Sequence, residues 1–280
     1  MSPFQQTVRQ LCTAYPEGEA RALARMVFEE CSRLTQTDLL LGKDNDLSAD
    51  ALTKIQNIVE RLLRHEPIQY ILGYADFCGH RFRVSPGVLI PRPETEELVR
   101  RIVADAHALP APVRILDVGT GSGCIALSLA LALEGCETEG WDISPEALVQ
   151  ARRNAEAYPR AQVNFVQEDI LHPAATDRQW DIIVSNPPYV CRREQQDMEA
   201  NVLQYEPHLA LFVPDDDPLL FYRGIVRFAQ GHLSEQGALW FETNHALVAE
   251  TAELIEKNGF SRVEVYEDGF GKKRLLRCQR

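Results

Sequence analysis

Apolar positions recur along this chain with two different periods, and the change of period divides it. Up to about residue 73 the spacing is helical. Ala20, Leu23, Ala24, Val27 and Phe28 share one face, as do Leu52, Ile55, Ile58, Val59, Leu62 and Leu63. Ser48-Ala49-Asp50 offers a capping side chain and an early acid ahead of the second of these helices. Between 75 and 90, Phe77, Phe82, Val84 and Val88 with Gly79 and Gly87 predict a β-hairpin linker. After Pro93, Glu94-Thr95-Glu96-Glu97 opens a helix with its acids where the dipole favours them. Arg92 and Glu97 are read as helix-start electrostatics.

Beyond about residue 110, short apolar runs alternate with helical stretches. Strands are expected at 113–118, 137–141, 163–166, 182–184, 238–242, 262–266 and 274–278. Helices are expected at 124–134 and 247–258, the second stopped by Gly259. This order predicts an α/β fold built on a mostly parallel, doubly wound sheet. The expected domains are an all-helical 1–73, a hairpin linker 74–92 and an α/β domain 93–280. Residues 190–216 carry no clear pattern, are long for a structureless loop, and are expected to order with substrate.

Two strand ends carry the candidate chemistry. Gly119-Thr120-Gly121-Ser122-Gly123 follows the strand at 113–118 and opens a helix at Cys124. Strand, glycine loop and helix in this order make a Rossmann-like nucleotide site. The string is neither the dinucleotide fingerprint nor a P-loop, so there is no diphosphate to cradle. Its glycines instead let backbone approach a nucleoside or an amino-acid moiety. Asp117 can receive an ammonium group there, directly or through water. Asp142 closes the next strand, where an acid holds a ribose diol in such folds; it also precedes Ser144-Pro145-Glu146 as a helix-start acid. Asp169 and Ile170, after the third strand, offer an acceptor for an adenine amino group and an apolar cover for its ring.

The second string is Asn186-Pro187-Pro188-Tyr189, directly after the apolar run 182–184. Consecutive prolines donate no N–H, so this is a poor turn by ordinary rules. It makes a good clamp for a planar NH2 group. The Asn186 side-chain oxygen and a backbone carbonyl can each accept one N–H while the Tyr189 ring stacks on the plane. Such a nitrogen is a weak nucleophile because its lone pair is delocalised; two acceptors that hold both hydrogens turn the lone pair out of plane. A nucleoside cofactor at the first site and an NH2 clamp at the second imply methyl transfer from S-adenosylmethionine to a planar nitrogen. Alignment supplies most of that catalysis, and no nucleophile–base pair is needed. His65, His80, His172 and His208 are read as structural or surface residues.

Three stretches carry a specific resemblance. His65-Glu66-Pro67-Ile68-Gln69-Tyr70-Ile71-Leu72-Gly73 is the first. The second is Val84-Ser85-Pro86-Gly87-Val88-Leu89-Ile90-Pro91-Arg92-Pro93-Glu94-Thr95-Glu96, and the third is Val184-Ser185-Asn186-Pro187-Pro188-Tyr189 with Tyr205-Glu206-Pro207 behind it. With the glycine loop, the chain resembles the PrmC/HemK family of protein-(glutamine-N5) methyltransferases. The resemblance implies a Rossmann-like S-adenosylmethionine-dependent methyltransferase that modifies the Gly-Gly-Gln glutamine of class 1 peptide chain release factors, with the helical domain binding the release factor. It places the donor site at Gly119, Thr120, Gly121, Ser122, Gly123, Asp142 and Asn186, and the substrate clamp at Asn186, Pro187, Pro188 and Tyr189. Some relatives carry an aromatic residue where this chain has Ile170.

Composition adjusts this picture little. Net charge is −12, with 29 basic and 41 acidic residues, against extended nucleic acid as direct substrate. An adenine-N6 methyltransferase remains the alternative, since that NH2 is also planar; a non-catalytic scaffold would not need both motifs. The seven cysteines are irregularly spaced; Cys12, Cys31, Cys124 and Cys136 are read as reduced core thiols, and no C-x-x-C suggests a metal site. No signal-peptide segment or membrane-spanning run is evident. The expectation is a cytoplasmic monomer.

Overall fold

The computed structural model describes residues 1–280, the side chain of Asp197 excepted. Its chain divides into two units, Met1–Leu72 with Glu199–Tyr205, and Gly73–Met198 with Glu206–Arg280. In the first unit, helices Pro3–Leu11, Glu17–Ser32 and Ala49–Leu62 bury a common core of Leu11, Ala24, Val27, Phe28 and Val59. Ser48 caps the third of these as its sequence predicts, its Oγ accepting from Ala51 N at 3.2 Å. Leu52, in the first turn, is exposed although it belongs to the expected stripe. The remote segment Glu199–Tyr205 is tied into this unit by Tyr205, whose hydroxyl donates to Arg64 O at 2.9 Å. Nothing in the sequence pattern signals that return.

The second unit begins with a hairpin of β1 (Tyr74–Phe77) and β2 (His80–Arg83), joined at Cys78-Gly79. Both turn residues have positive φ, 49° and 75°, the conformation that matches strand twist in two-residue hairpins. The hairpin is shorter than expected. Residues 84–92 form no strand because Pro86 and Pro91 donate nothing to a ladder, though Val84, Val88 and Ile90 still bury their side chains.

The main sheet holds β3 (Arg114–Val118), β4 (Glu137–Asp142), β5 (Val163–Gln167) and β6 (Trp180–Ser185). The short strands β7 (Val190–Cys191) and β8 (Phe212–Val213) pair with each other, apart from it. It is completed by β9 (Leu233–Glu242), β10 (Ser261–Glu267) and β11 (Lys273–Gln279). The order is β10-β11-β9-β6-β3-β4-β5, with the last five parallel and β11 antiparallel to both neighbours. The central strands β3 and β6 are buried on both faces, so they read as nearly continuous apolar runs. Ile115, Ile182 and Trp240 face one core with Leu98 and Leu127, and Leu116, Ile183 and Phe241 face the other with Tyr222 and Phe228.

Two expectations change. β9 starts five residues before Ala238, the register shifting between Trp180 and Ile182; its polar run Ser234-Glu235-Gln236 hides the bulged beginning. Residues 190–216 are not structureless: besides β7 and β8 they form a 3-10 turn Arg192–Asp197 and helices Ala200–Tyr205 and His208–Leu211. All seven cysteines are free, but of the four assigned to the core only Cys124 is buried. Cys12 is exposed because it caps the first helix rather than lying on its stripe.

Candidate active site

Strand order reverses between β3 and β6, and both motifs emerge at that point. Val118 pairs with Ser185, and Ser185 pairs with Phe241. The residues that follow these are Gly119, Asn186 and Glu242, the last of them closing β9 and paired with Leu275. Adjacent strands lie roughly 4.7–4.9 Å apart, so three carboxyl ends present these residues side by side in the crevice where open α/β sheets bind ligands.

The glycine loop is held by its backbone: Gly119 N and Thr120 N both donate to Trp141 O, at 2.8 and 2.9 Å. Gly119 and Gly121 have φ of +75° and +54°, and a Cβ on either would meet nothing within 4 Å. They are open backbone that a ligand can approach. Gly123 is needed for a different reason, since a Cβ there would crowd Phe165, Ala151 and Leu127 at 3.1–3.3 Å. Thr120 and Ser122 are buried. The Thr120 hydroxyl donates to Asp117 Oδ2 at 2.6 Å, and the Ser122 carbonyl accepts from Asn154 Nδ2 at 2.9 Å.

Asp117 is completely buried. Its Oδ2 also accepts from Ala126 N at 3.2 Å, but Oδ1 has no partner among the described residues. Burial pushes this carboxyl up to about 7, and Asp142 nearby adds to the rise. A buried acid with an empty acceptor beside open backbone suits a cationic donor. The loop therefore fits a cofactor carrying both an ammonium group and a nucleoside. Asp142 braces the loop: Oδ2 accepts from Gly121 N at 2.8 Å and Oδ1 from Ser144 N at 2.9 Å. Each oxygen keeps a second lone pair for a hydroxyl donor. The helix cap itself is Ser144, so Asp142 acts one step earlier than a capping acid. Asp169 accepts from Leu171 N and pairs with His172 Nδ1, both at 2.9 Å, and the His172 contact lowers its carboxyl below the ordinary range. Ile170 is half-buried and packs on the core that contains Trp141 and Trp180.

Asn186 is half-buried and Pro187 buried. Tyr189 packs against the same core as Ile170, which anchors its ring. Burial raises its hydroxyl above the ordinary tyrosine value, with the Glu242 charge next in effect. Asn186 Nδ2 donates to Thr95 Oγ1 at 3.3 Å, and Thr95 Oγ1 donates to Glu242 Oε2 at 2.6 Å. Both Thr95 and Glu242 are buried. Neither stood out in the sequence as part of the site. For Glu242 a signal existed: an acid closing an otherwise apolar strand end, 238–242. Arg92 needs a correction, because it does more than open a helix. Its guanidinium pairs with buried Glu206, which also accepts from Ile90 N at 3.2 Å. Glu97 pairs with Arg100 and Arg101, as helix-surface electrostatics would have it.

Residues 4–73 match the family described as PrmC N-terminal domain, and residues 96–206 match Methyltransferase small domain. A release factor glutamine methyltransferase of Bacteroides thetaiotaomicron is 48% identical over 267 residues, spanning 95% of this chain and 95% of that protein. The chain belongs to the release factor glutamine methyltransferase family. A second family member, from Flavobacterium psychrophilum, is 41% identical over 97% of this chain and 96% of its own length. Among solved structures, a methyltransferase from Pyrococcus furiosus superposes with a TM-score of 0.52 at 19% identity, covering 80% of this chain and 98% of that one. At that identity the likeness speaks for the methyltransferase fold alone. In this chain the residues that hold Asn186, Thr95 directly and Glu242 through it, come from segments remote from it in sequence.

Proposed function

We propose that this protein transfers a methyl group from S-adenosylmethionine to the side-chain amide nitrogen, N5, of the glutamine in the Gly-Gly-Gln motif of class 1 peptide chain release factors. The observation that supports the reading is the row of strand ends, in which Asn186 follows Ser185 and the glycine loop follows its partner Val118. Family membership supports the substrate.

Bound S-adenosylmethionine supplies an electrophilic methyl group on a sulfonium centre. Asp117 Oδ1 would take its ammonium group, the open backbone of Gly119 and Gly121 its amino-acid portion, and Asp142 its ribose hydroxyls. Asp169 and Ile170 lie at the next strand end for the adenine. Asn186 Oδ1 and the Pro187 carbonyl each accept one hydrogen of the substrate amide, and Tyr189 with Pro188 lines its plane. Held this way, the nitrogen presents its lone pair out of plane, and the two acceptors stabilise the positive charge that grows on it. The nitrogen gains a methyl group and releases one hydrogen to water as a proton. No acid–base pair is required, and the contribution is alignment.

The helical unit of residues 1–72 is the release-factor-binding part in this reading, supported by its match to PrmC N-terminal domain. No described helix is long and apolar enough to cross a membrane; we place the protein in the cytoplasm, as a monomer. Radiolabelled S-adenosylmethionine with a class 1 release factor, and separately with DNA and RNA, tests the assignment. Label should appear on the glutamine. Label on nucleic acid instead would establish the adenine-N6 alternative.

A further inference from the structure

We infer that Thr95, itself fixed by Glu242, is a positioning residue that sets which end of the Asn186 carboxamide faces the substrate. The inference deepens the clamp reading and rests on it. A carboxamide has two ends of nearly equal size. Turned by half a rotation, it would show donors where the substrate amide needs an acceptor, and the clamp would repel what it should hold.

The structure contains a device against that rotation. Asn186 Nδ2 lies 3.3 Å from Thr95 Oγ1, and Thr95 Oγ1 lies 2.6 Å from Glu242 Oε2. A threonine hydroxyl has one proton and two lone pairs. A carboxylate can only accept, so the Thr95 proton points to Glu242 and lone pairs face Asn186. The amide answers with its NH2 end, and Oδ1 is left without a donor among the described residues. Position enforces the arrangement as well. Asn186 and Glu242 follow the paired residues Ser185 and Phe241, while Thr95 enters from the first turn of the helix Pro93–Ala106.

The charge state of Glu242 matters, because a protonated carboxyl could donate to Thr95 and free its proton for the wrong end of the amide. Burial pushes Glu242 up to about 7; Thr95, Arg274 and Arg92 act to lower it and Glu94 to raise it. The Tyr189 and Tyr222 hydroxyls also face it, and both stay neutral because burial raises them. The device is therefore set most firmly at slightly alkaline pH.

Thr95→Val keeps the shape and removes the hydroxyl, while Thr95→Ser keeps the hydroxyl. Thr95→Val should lower kcat about tenfold or more, the worth of about one net hydrogen bond. Its dissociation constant for S-adenosylmethionine, measured by calorimetry without substrate, should stay within about twofold, well under the tenfold that 1.4 kcal/mol represents. Thr95→Ser should restore kcat. Unchanged kcat in Thr95→Val, or a loss that serine does not rescue, overturns the inference. In wild-type protein, the Asn186 side-chain NH2 protons should give NMR cross-peaks to Thr95; cross-peaks only from the opposite amide face also overturn it, with no variant needing to fold. Full activity in Asn186→Ala would instead sink the clamp itself, whereas an inactive Asn186→Ala beside a fully active Thr95→Val would sink only the role of Thr95.

Discussion

Without cofactor the protein should lose stability as pH rises from about 4 to about 7, and Asp117→Asn should remove much of that slope. Burial carries this carboxyl from 3.8 to about 7; Asp142 adds to the rise, and the Thr120 hydroxyl and Ala126 N–H oppose it. Cys124 also faces it, but burial holds that thiol up at about 12, so it stays neutral throughout. Across this window the native state keeps a proton that the unfolded chain has released, so the free energy of unfolding falls with pH. The stabilisation is complete below the unfolded value and is gone once pH passes the folded one. A gap of about three units is worth about 4 kcal/mol, at 1.36 kcal/mol per unit. That is an upper figure, since relaxation and water entry soften the burial of a charge. Asparagine keeps an acceptor for Thr120 and Ala126 but puts an NH2 where Oδ1 has no partner, which costs roughly 1–3 kcal/mol at any pH. The variant should therefore be less stable than wild type at about pH 5 and comparable or more stable at about pH 8. Urea unfolding at both pH values measures it. Glu242, also raised to about 7, contributes equally to both proteins and cancels in the difference. A variant-minus-wild-type difference that does not move with pH refutes the neutral Asp117. The same carboxyl links stability to binding: a cation received by Oδ1 favours the ionised form, so cofactor affinity should rise with pH up to about 7 in wild type.

Asn186→Ala should lower kcat by about 10²–10³, the range for losing one preorganised polar contact at a reacting centre, while calorimetry finds cofactor affinity much less affected. Equal loss of both would mean that Asn186 serves mainly the cofactor. Tyr189→Ala should raise KM for the release factor in steady-state assays; unchanged kinetics would rule out stacking. Gly140→Ala tests the loop from below. Its Cβ would sit 2.8 Å from Phe165 and from Thr120 Oγ1, so overpacking should cost about 1–3 kcal/mol in urea unfolding. Because Thr120 holds Asp117, cofactor affinity should fall with it. Normal affinity would show that the Thr120–Asp117 contact is dispensable.

The sequence alone determined the main strands, several of the helices and the two strings at strand ends. Helical and strand periods are local properties, so the helices Glu17–Ser32 and Ala49–Leu62, the alternating strands after 110 and the Ser48 cap were legible. Gly119-Thr120-Gly121-Ser122-Gly123 and Asn186-Pro187-Pro188-Tyr189 were legible as candidate strings too, because each is contiguous and follows an apolar strand. The tertiary structure decided what depends on neighbours. Register placed Glu242 beside Asn186, and packing of the Pro93–Ala106 helix brought Thr95 between them. Burial, which no local pattern reports, gave Asp117 and Glu242 their unusual proton affinity. Chain return assigned Glu199–Tyr205 to the helical unit and made Arg92 a partner of Glu206. Such contacts join residues that lie far apart in the chain, as Thr95 and Glu242 do at 147 positions, and their free energy comes from excluding water around a shared site rather than from any preference the local sequence encodes.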